Sequence, residues 1–204
     1  MNILVLVSGS GTNLQALIDA QRSDSLPGSI AAVVSDRPGV YALERSRAAG
    51  IPALTEEADK RLPKEQRRIE LSNRILTIAR NNKIDLIILA GFLSILQGKF
   101  LEEYSGRIIN IHPSLLPKYG GQGMYGERVH QAVLAAGEKE SGCTVHLVDQ
   151  GTDKGTVLLQ RRVAVLAGDT AESLAQRIHK EEHIAIVEGA KLVLQKIALQ
   201  AKEG

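Results

Sequence analysis

The sequence predicts an α/β fold: a doubly wound, mostly parallel sheet in one domain over residues 1–204, with an antiparallel ribbon in the C-terminal half. Short apolar runs at Asn2–Val7, Ser29–Ser35, Leu86–Ala90 and Arg107–His112 read as strands buried on both faces. Helix-like segments separate them, and strict alternation of strand and helix implies parallel strands covered on both sides. Beyond residue 113 the style changes. Cys143–Val148 and Val157–Val165 are joined by a turn region, Gly151-Thr152-Asp153-Lys154-Gly155, rather than by a helix-sized segment, which favours an antiparallel ribbon.

Asn2–Val7 leads into Ser8-Gly9-Ser10-Gly11-Thr12-Asn13 and then a helix over Leu14–Ala20. A strand, a glycine turn and a helix start leave backbone N–H groups pointing outward at the positive end of a helix, which suits a phosphate. A tight turn with a Thr or Asn helix cap is the alternative for the same residues. Leu14 stands where the dinucleotide fingerprint needs a third glycine and no Walker lysine follows, so neither NAD nor ATP is expected.

Ser29–Ser35 is the second strand, Val40–Ala49 a short helix stopped by Gly50, and Ile51–Leu54 a short third strand. Glu56–Lys64 is charged and irregular. Ile69, Leu71, Ile75, Leu76, Ile78 and Ala79 recur at helical spacing and predict a helix over Gln66–Asn82. Leu86–Ala90 follows as a strand ended by Gly91-Phe92, then a helix over Leu93–Tyr104 and the strand Arg107–His112. A helix over Glu127–Ala136, a polar connection at Gly137–Gly142 and the ribbon come next. A final helix starts at Thr170 and carries Leu174, Ile178, Ile184, Val187, Leu192, Leu194 and Ile197, with Gly189 as a possible kink and a frayed tail at Gln200–Gly204.

The chain of 204 residues, 44% hydrophobic, suffices for one full core. A net charge of +2 without a basic run, 3% aromatic residues and no Trp argue against a nucleic-acid platform. Cys143 is the single cysteine, so an internal disulfide and CxxC metal clusters are excluded. The first residues enter an apolar run directly, with no basic leader, and that run is too short to cross a bilayer. The expectation is a cytoplasmic protein with small-molecule partners and no membrane association.

The chemical centre of the sequence is Ile108-Ile109-Asn110-Ile111-His112-Pro113-Ser114-Leu115-Leu116-Pro117. Alternation along a strand places Asn110 and His112 on one face while Ile109 and Ile111 turn into the packing on the other. Pro113 cannot continue a central strand, so the pair sits where the strand ends, the place where open α/β sheets bind ligands. Asp153, in its Gly-bounded loop, is the carboxylate to pair with His112. It would raise the imidazole pKa and make a cation available near neutral pH, although Asp in such a turn also serves simply as a turn residue.

Cys143 lies in an apolar strand and no serine occupies a nucleophile elbow, which favours direct transfer between two bound substrates. Asn110 and His112 would then stabilise a tetrahedral oxyanion, each donor contributing on the order of 3 kcal/mol. His130 lies on a polar helix and His146 alternates within a strand, and for each a structural reading is favoured over a functional one. His179-Lys180-Glu181-Glu182-His183 fits the H-x-x-E-H zinc pattern, but a catalytic zinc needs a third protein ligand that nothing nearby supplies. The patch is expected to face the cleft of the phosphate loop, or else to be a solvated helix face.

The run from Asn110 to Pro117, with Asp153 after Val145-His146 and before Gly155, resembles the folate-dependent formyltransferases, and the likeness extends from Met1 to about Gly189. It is similar to the branch that transfers a formyl group from 10-formyltetrahydrofolate to the amine of glycinamide ribonucleotide in purine biosynthesis. The resemblance implies Asn110, His112 and Asp153 as the catalytic trio. It implies Gly11, Thr12 and Asn13 as phosphate contacts, and His179, Lys180, Glu181 and Glu182 as further ribonucleotide contacts. It assigns the folate to Arg68, to Leu93, Ser94, Ile95 and Leu96, to Asn110, and to the loop Asp149, Gln150, Gly151, Thr152 and Asp153.

No metal takes part in the transfer the resemblance implies, and a monomer or a homodimer fits it. The chain departs from the family in the glycine-rich Tyr119–Gly126 loop and in Ser94, where arginine is common. Within the superfamily, a methionyl-tRNA formyltransferase would carry an added RNA-binding domain and a formyltetrahydrofolate deformylase an N-terminal regulatory domain. The 204 residues are expected to hold neither, only a phosphate-binding half (1–112) and a folate-loop and helical half (113–204). A relative acting on another amine or on water stays open. So does a binding protein without catalysis, which would keep Ser8–Asn13 and have no need of the trio.

Overall fold

A computed structural model describes residues 1–203. Seven strands form one sheet in the order β3-β2-β1-β4-β5-β6-β7. The first five, β1 (Asn2–Val7), β2 (Ser29–Ser35), β3 (Ala53–Thr55), β4 (Leu86–Leu89) and β5 (Ile108–His112), run parallel. The last two, β6 (Glu140–Leu147) and β7 (Val157–Ala164), pair antiparallel at one edge. The chain winds outward from β1 to β3 and then returns to place β4 on the other side of β1. That reversal opens a crevice at the carboxyl ends of β1 and β4, the switch point of a doubly wound sheet.

The central strands β1, β4 and β5 are buried on both faces, which is why these segments are apolar runs, whereas β3 at the sheet edge is largely exposed. Ile3, Val5 and Val7 face one layer, made by α1 (Thr12–Arg22), α2 (Tyr41–Ala48), α5 (Glu127–Ala135) and α6 (Ala171–Glu203). Leu4 and Leu6 face the opposite layer, where α3 (Lys64–Asn81) and α4 (Lys99–Glu103) contribute Leu71, Ile75 and Phe100. Burial of each such side chain contributes about 1.5–3 kcal/mol.

The helix expected over Leu93–Tyr104 is shorter, with only Lys99–Glu103 helical. Side chains from elsewhere take the backbone donors of the preceding stretch: Ser8 Oγ accepts from the Leu93 N–H at 2.8 Å and Ser72 Oγ from the Gln97 N–H at 2.9 Å. The third strand begins at Ala53, after Pro52, whose carbonyl accepts from the Val33 N–H. β6 starts at Glu140, inside the stretch expected as a polar connection, because Glu140, Ser141 and Gly142 pair with Ala164, Val163 and Arg162 of β7.

Helix α6 opens with a reciprocal cap, Ser173 N–H donating to Thr170 Oγ1 and Thr170 N–H to Ser173 Oγ. It continues to Glu203, so no fraying begins at Gln200; Gly204 lies outside the described residues. Ile184 and Leu192, expected on the buried stripe, are exposed. Gly189 neither kinks nor ends the helix. A Cβ there would lie 2.5 Å from Val145 Cγ1, a stiff, fully buried side chain on β6, so glycine lets helix and sheet approach. Gly189→Ala is therefore expected to destabilise the protein by about 1–2 kcal/mol, since overpacking outweighs the gain in helix propensity. Urea denaturation checks this, and a stabilised variant would contradict it.

Candidate active site

A cavity of about 660 Å³ fills the crevice. The turn after β1 (Gly9–Asn13) and the segment after β4 (Ala90–Leu96) form its walls, together with the end of β5, the Gly121–Gly126 loop, the 148–153 loop and one side of α6. Both Asn110 and His112 line it, and His112 is 4% exposed. Antiparallel pairing puts His146 of β6 directly opposite Asn110.

His146 Nδ1–H donates to the Leu147 carbonyl at 2.9 Å, leaving Nε2 to accept from Asn110 Nδ2–H at 3.1 Å. The amide orientation is thus assigned by its partner. His112 Nε2–H donates to the Tyr119 carbonyl at 2.8 Å, so the other ring nitrogen, Nδ1, turns to Asp153 Oδ2 at 3.6 Å. Asp153 Oδ1 lies 3.6 Å from His146 Nε2, and Oδ2 accepts from the Gly121 N–H at 2.9 Å. The carboxylate therefore stands between two imidazoles and is more than a turn residue.

At the other end of the cavity, Gly11 caps α1 in the left-handed region, φ 74°, with no side chain bonded to the first-turn amides. Asn13 is buried beside Glu182, which is 5% exposed, and His179 Nε2 is 3.7 Å from Glu182 Oε2. His130 is 2% exposed, lines the same cavity and has Nδ1 without a partner.

The residue pattern matches the formyl transferase family over residues 1–189. The chain belongs to the formyl transferase family. It is 46% identical over 204 residues to the trifunctional purine biosynthetic protein adenosine-3 of Drosophila melanogaster, covering 98% of this chain and 14% of that protein. The chain thus spans about one seventh of that relative's length. It is 42% identical over 183 residues to the phosphoribosylglycinamide formyltransferase of Escherichia coli K12, covering 90% of this chain and 82% of that one. The solved glycinamide ribonucleotide transformylase 1 of Symbiobacterium toebii superimposes with a TM-score of 0.88 at 40% identity, over 96% of this chain and 88% of that one.

The cavity gathers Gly11, Thr12, Asn13, Leu93, Ser94, Ile95, Leu96, Asn110, His112, all of 149–153, His179 and Glu182. Three expected contacts lie outside it. Arg68 sits on α3, 3.9 Å from Glu65, Lys180 is exposed and does not line the cavity, and Glu181 Oε2 accepts from Arg161 Nε at 2.6 Å. On a helix, residues one and two positions from Glu182 point elsewhere. Ser94 Oγ donates to Asp36 Oδ2 at 2.7 Å, and the glycine-rich loop is part of the site through Tyr119 and Gly121. Among the described residues no three His, Cys, Asp or Glu side chains gather where a metal ion could be held, and no helix is long and apolar enough to cross a membrane.

Electrostatics correct the charge expected on His112. Burial pushes its pKa below the ordinary 6.5, and the pull of Asp153 in the other direction does not overcome it, so the resting ring is neutral at pH 7. Burial opposes ionisation of Asp153, yet His146, His112 and the Gly121 N–H together hold its carboxyl below the usual value. Burial also moves His130 down to about 4 and Cys143 up to about 12, leaving a neutral ring and an inert thiol.

Glu182 is raised by burial to about 7, with the Asn13 amide working against the shift. The folded protein therefore holds a proton that the unfolded chain releases near pH 4.5, and stability falls as pH rises from there to about 7. Glu182→Gln is expected to gain on the order of 3 kcal/mol at pH 8 and nothing at pH 4. Chemical denaturation at the two pH values measures this; an equal effect at both would contradict it.

Proposed function

We propose that this formyl transferase moves a formyl group from 10-formyltetrahydrofolate to the amine of glycinamide ribonucleotide, one step of purine biosynthesis. The observation that carries this reading is that one continuous cavity joins the open α1 N-terminus and Glu182 at one end to the 93–96 segment and 149–153 loop at the other, with Asn110, His112 and Asp153 between. A phosphate suits the first end, where unbonded amides meet a helix dipole and the buried acid can accept from sugar hydroxyls. The second end, with the apolar side chains of Leu93, Ile95 and Leu96 on a segment outside helix and strand, suits a flat heteroaromatic ring.

The chemistry is direct attack. The amine nitrogen bonds to the formyl carbon, the carbonyl electron pair moves to oxygen, and an Asn110 amide N–H donates to the oxyanion. Because His112 rests neutral with Nδ1 free, it can take the proton the attacking nitrogen releases. The resulting imidazolium is paired with Asp153 and adds its charge to stabilisation of the oxyanion. Collapse of the intermediate breaks the bond from carbon to the folate nitrogen, which receives the proton from His112.

Purified protein supplied with both substrates tests the proposal through the absorbance of the deformylated folate. A rise that requires the ribonucleotide is expected. No rise would overturn the reading, and a rise with folate alone would make water the acceptor.

A further inference from the structure

Behind the turn that follows β1, on the side away from the cavity, lies a side chain with no assigned role. Arg45 of α2 donates from Nε to the Ser10 carbonyl at 2.9 Å and from a terminal nitrogen to Gln15 Oε1 at 3.0 Å. Its guanidinium carbon lies 4.8 Å from the centre of the Tyr41 ring. The Ala42 N–H donates to the Gly9 carbonyl at 3.1 Å. Two successive carbonyls of the turn are thus held from α2, one by backbone and one by the guanidinium.

In a planar trans peptide the C=O and the following N–H point in opposite directions. With the Gly9 and Ser10 carbonyls held against α2, the N–H groups of Ser10 and Gly11 turn the other way, and Gly9–Asn13 line the cavity on that side. The fit is close: a Cβ on Gly11 would lie 2.7 Å from Ala42 Cβ. Arg45 itself does not line the cavity. It therefore acts through the loop, and its fork of two donors in fixed relative orientation is something a lysine cannot reproduce.

We propose that Arg45 is the positioning residue of the phosphate loop, holding the Ser8–Asn13 backbone with its amides presented to a phosphate monoester. This rests on the reading of that loop as the ribonucleotide-phosphate site and adds what sets its geometry. A loop that must reorganise on binding loses affinity for the phosphate-bearing substrate, whereas the trio at the end of β5 is left in place.

The test measures KM for both substrates, kcat, and inhibition by ribose 5-phosphate in the wild type, Arg45→Met and Arg45→Lys. Arg45→Met, which keeps the packed stem, is expected to raise the ribonucleotide KM and the ribose 5-phosphate inhibition constant about tenfold, with kcat and the folate KM within about twofold. Arg45→Lys is expected to fall between, and it carries the test if the Met variant fails to fold. Unchanged ribonucleotide KM in the folded variants would overturn the proposal, as would a Lys variant equal to the wild type or a parallel rise in both KM values. Failure of ribose 5-phosphate to compete in the wild type would overturn the phosphate-loop reading instead.

Discussion

His112→Asn lowers kcat at least about a hundredfold while leaving both KM values within a few-fold. An asparagine amide can still donate a hydrogen bond from near the position of Nδ1, so a residue that only bonded substrate would be partly replaced. It cannot take up a proton, and general acid–base catalysis contributes about 10²–10⁴. The ring is nearly buried and bonded through Nε2 to the Tyr119 carbonyl, which leaves Nδ1 for the proton. Steady-state kinetics decide the matter, and a kcat within tenfold of the wild type would remove His112 from proton transfer.

Asp153→Asn, nearly identical in volume, also costs at least about a hundredfold in kcat, because the imidazolium formed during the reaction loses its counter-ion in a buried setting. The substitution moves the pH profile as well. In the wild type, burial lowers the His112 pKa and Asp153 opposes that shift. Without the carboxylate, burial is opposed only by the bond to the Tyr119 carbonyl, the neutral base persists to lower pH, and the acid limb of kcat moves acidic. An acid limb that stays in place would mean that Asp153 does not reach His112 electrostatically, whatever the loss of rate.

The parallel core was legible because strands buried on both faces must be apolar throughout, and the turn chemistry between them is local. Residues 92–98 were not, since Ser8 and Ser72, distant in sequence, take the N–H groups a helix would have used. The Asn110–His112 pair stood out through period two and the following proline. His146 enters only through the pairing of β5 with β6, a long-range register that no local pattern encodes. His130, whose helix reads as polar in sequence, is buried.

The sign of the His112 shift shows a different limit. Its carboxylate partner could be picked from sequence, but the depth of burial that outweighs the partner is a property of the assembled cavity. Arg68 rests on likeness alone, and Lys180 and Glu181 on likeness and on the polar patch they share with Glu182; the geometry leaves all three outside that cavity.

The account turns on a neutral imidazole whose free nitrogen is biased by one carboxylate. Nitrogen NMR titration of the His112 ring in the wild type and in Asp153→Asn measures this directly. The account predicts a proton on Nε2, a wild-type pKa below 6.5 and a lower value in the variant. A wild-type pKa above 6.5, or one indifferent to the loss of Asp153, would contradict it.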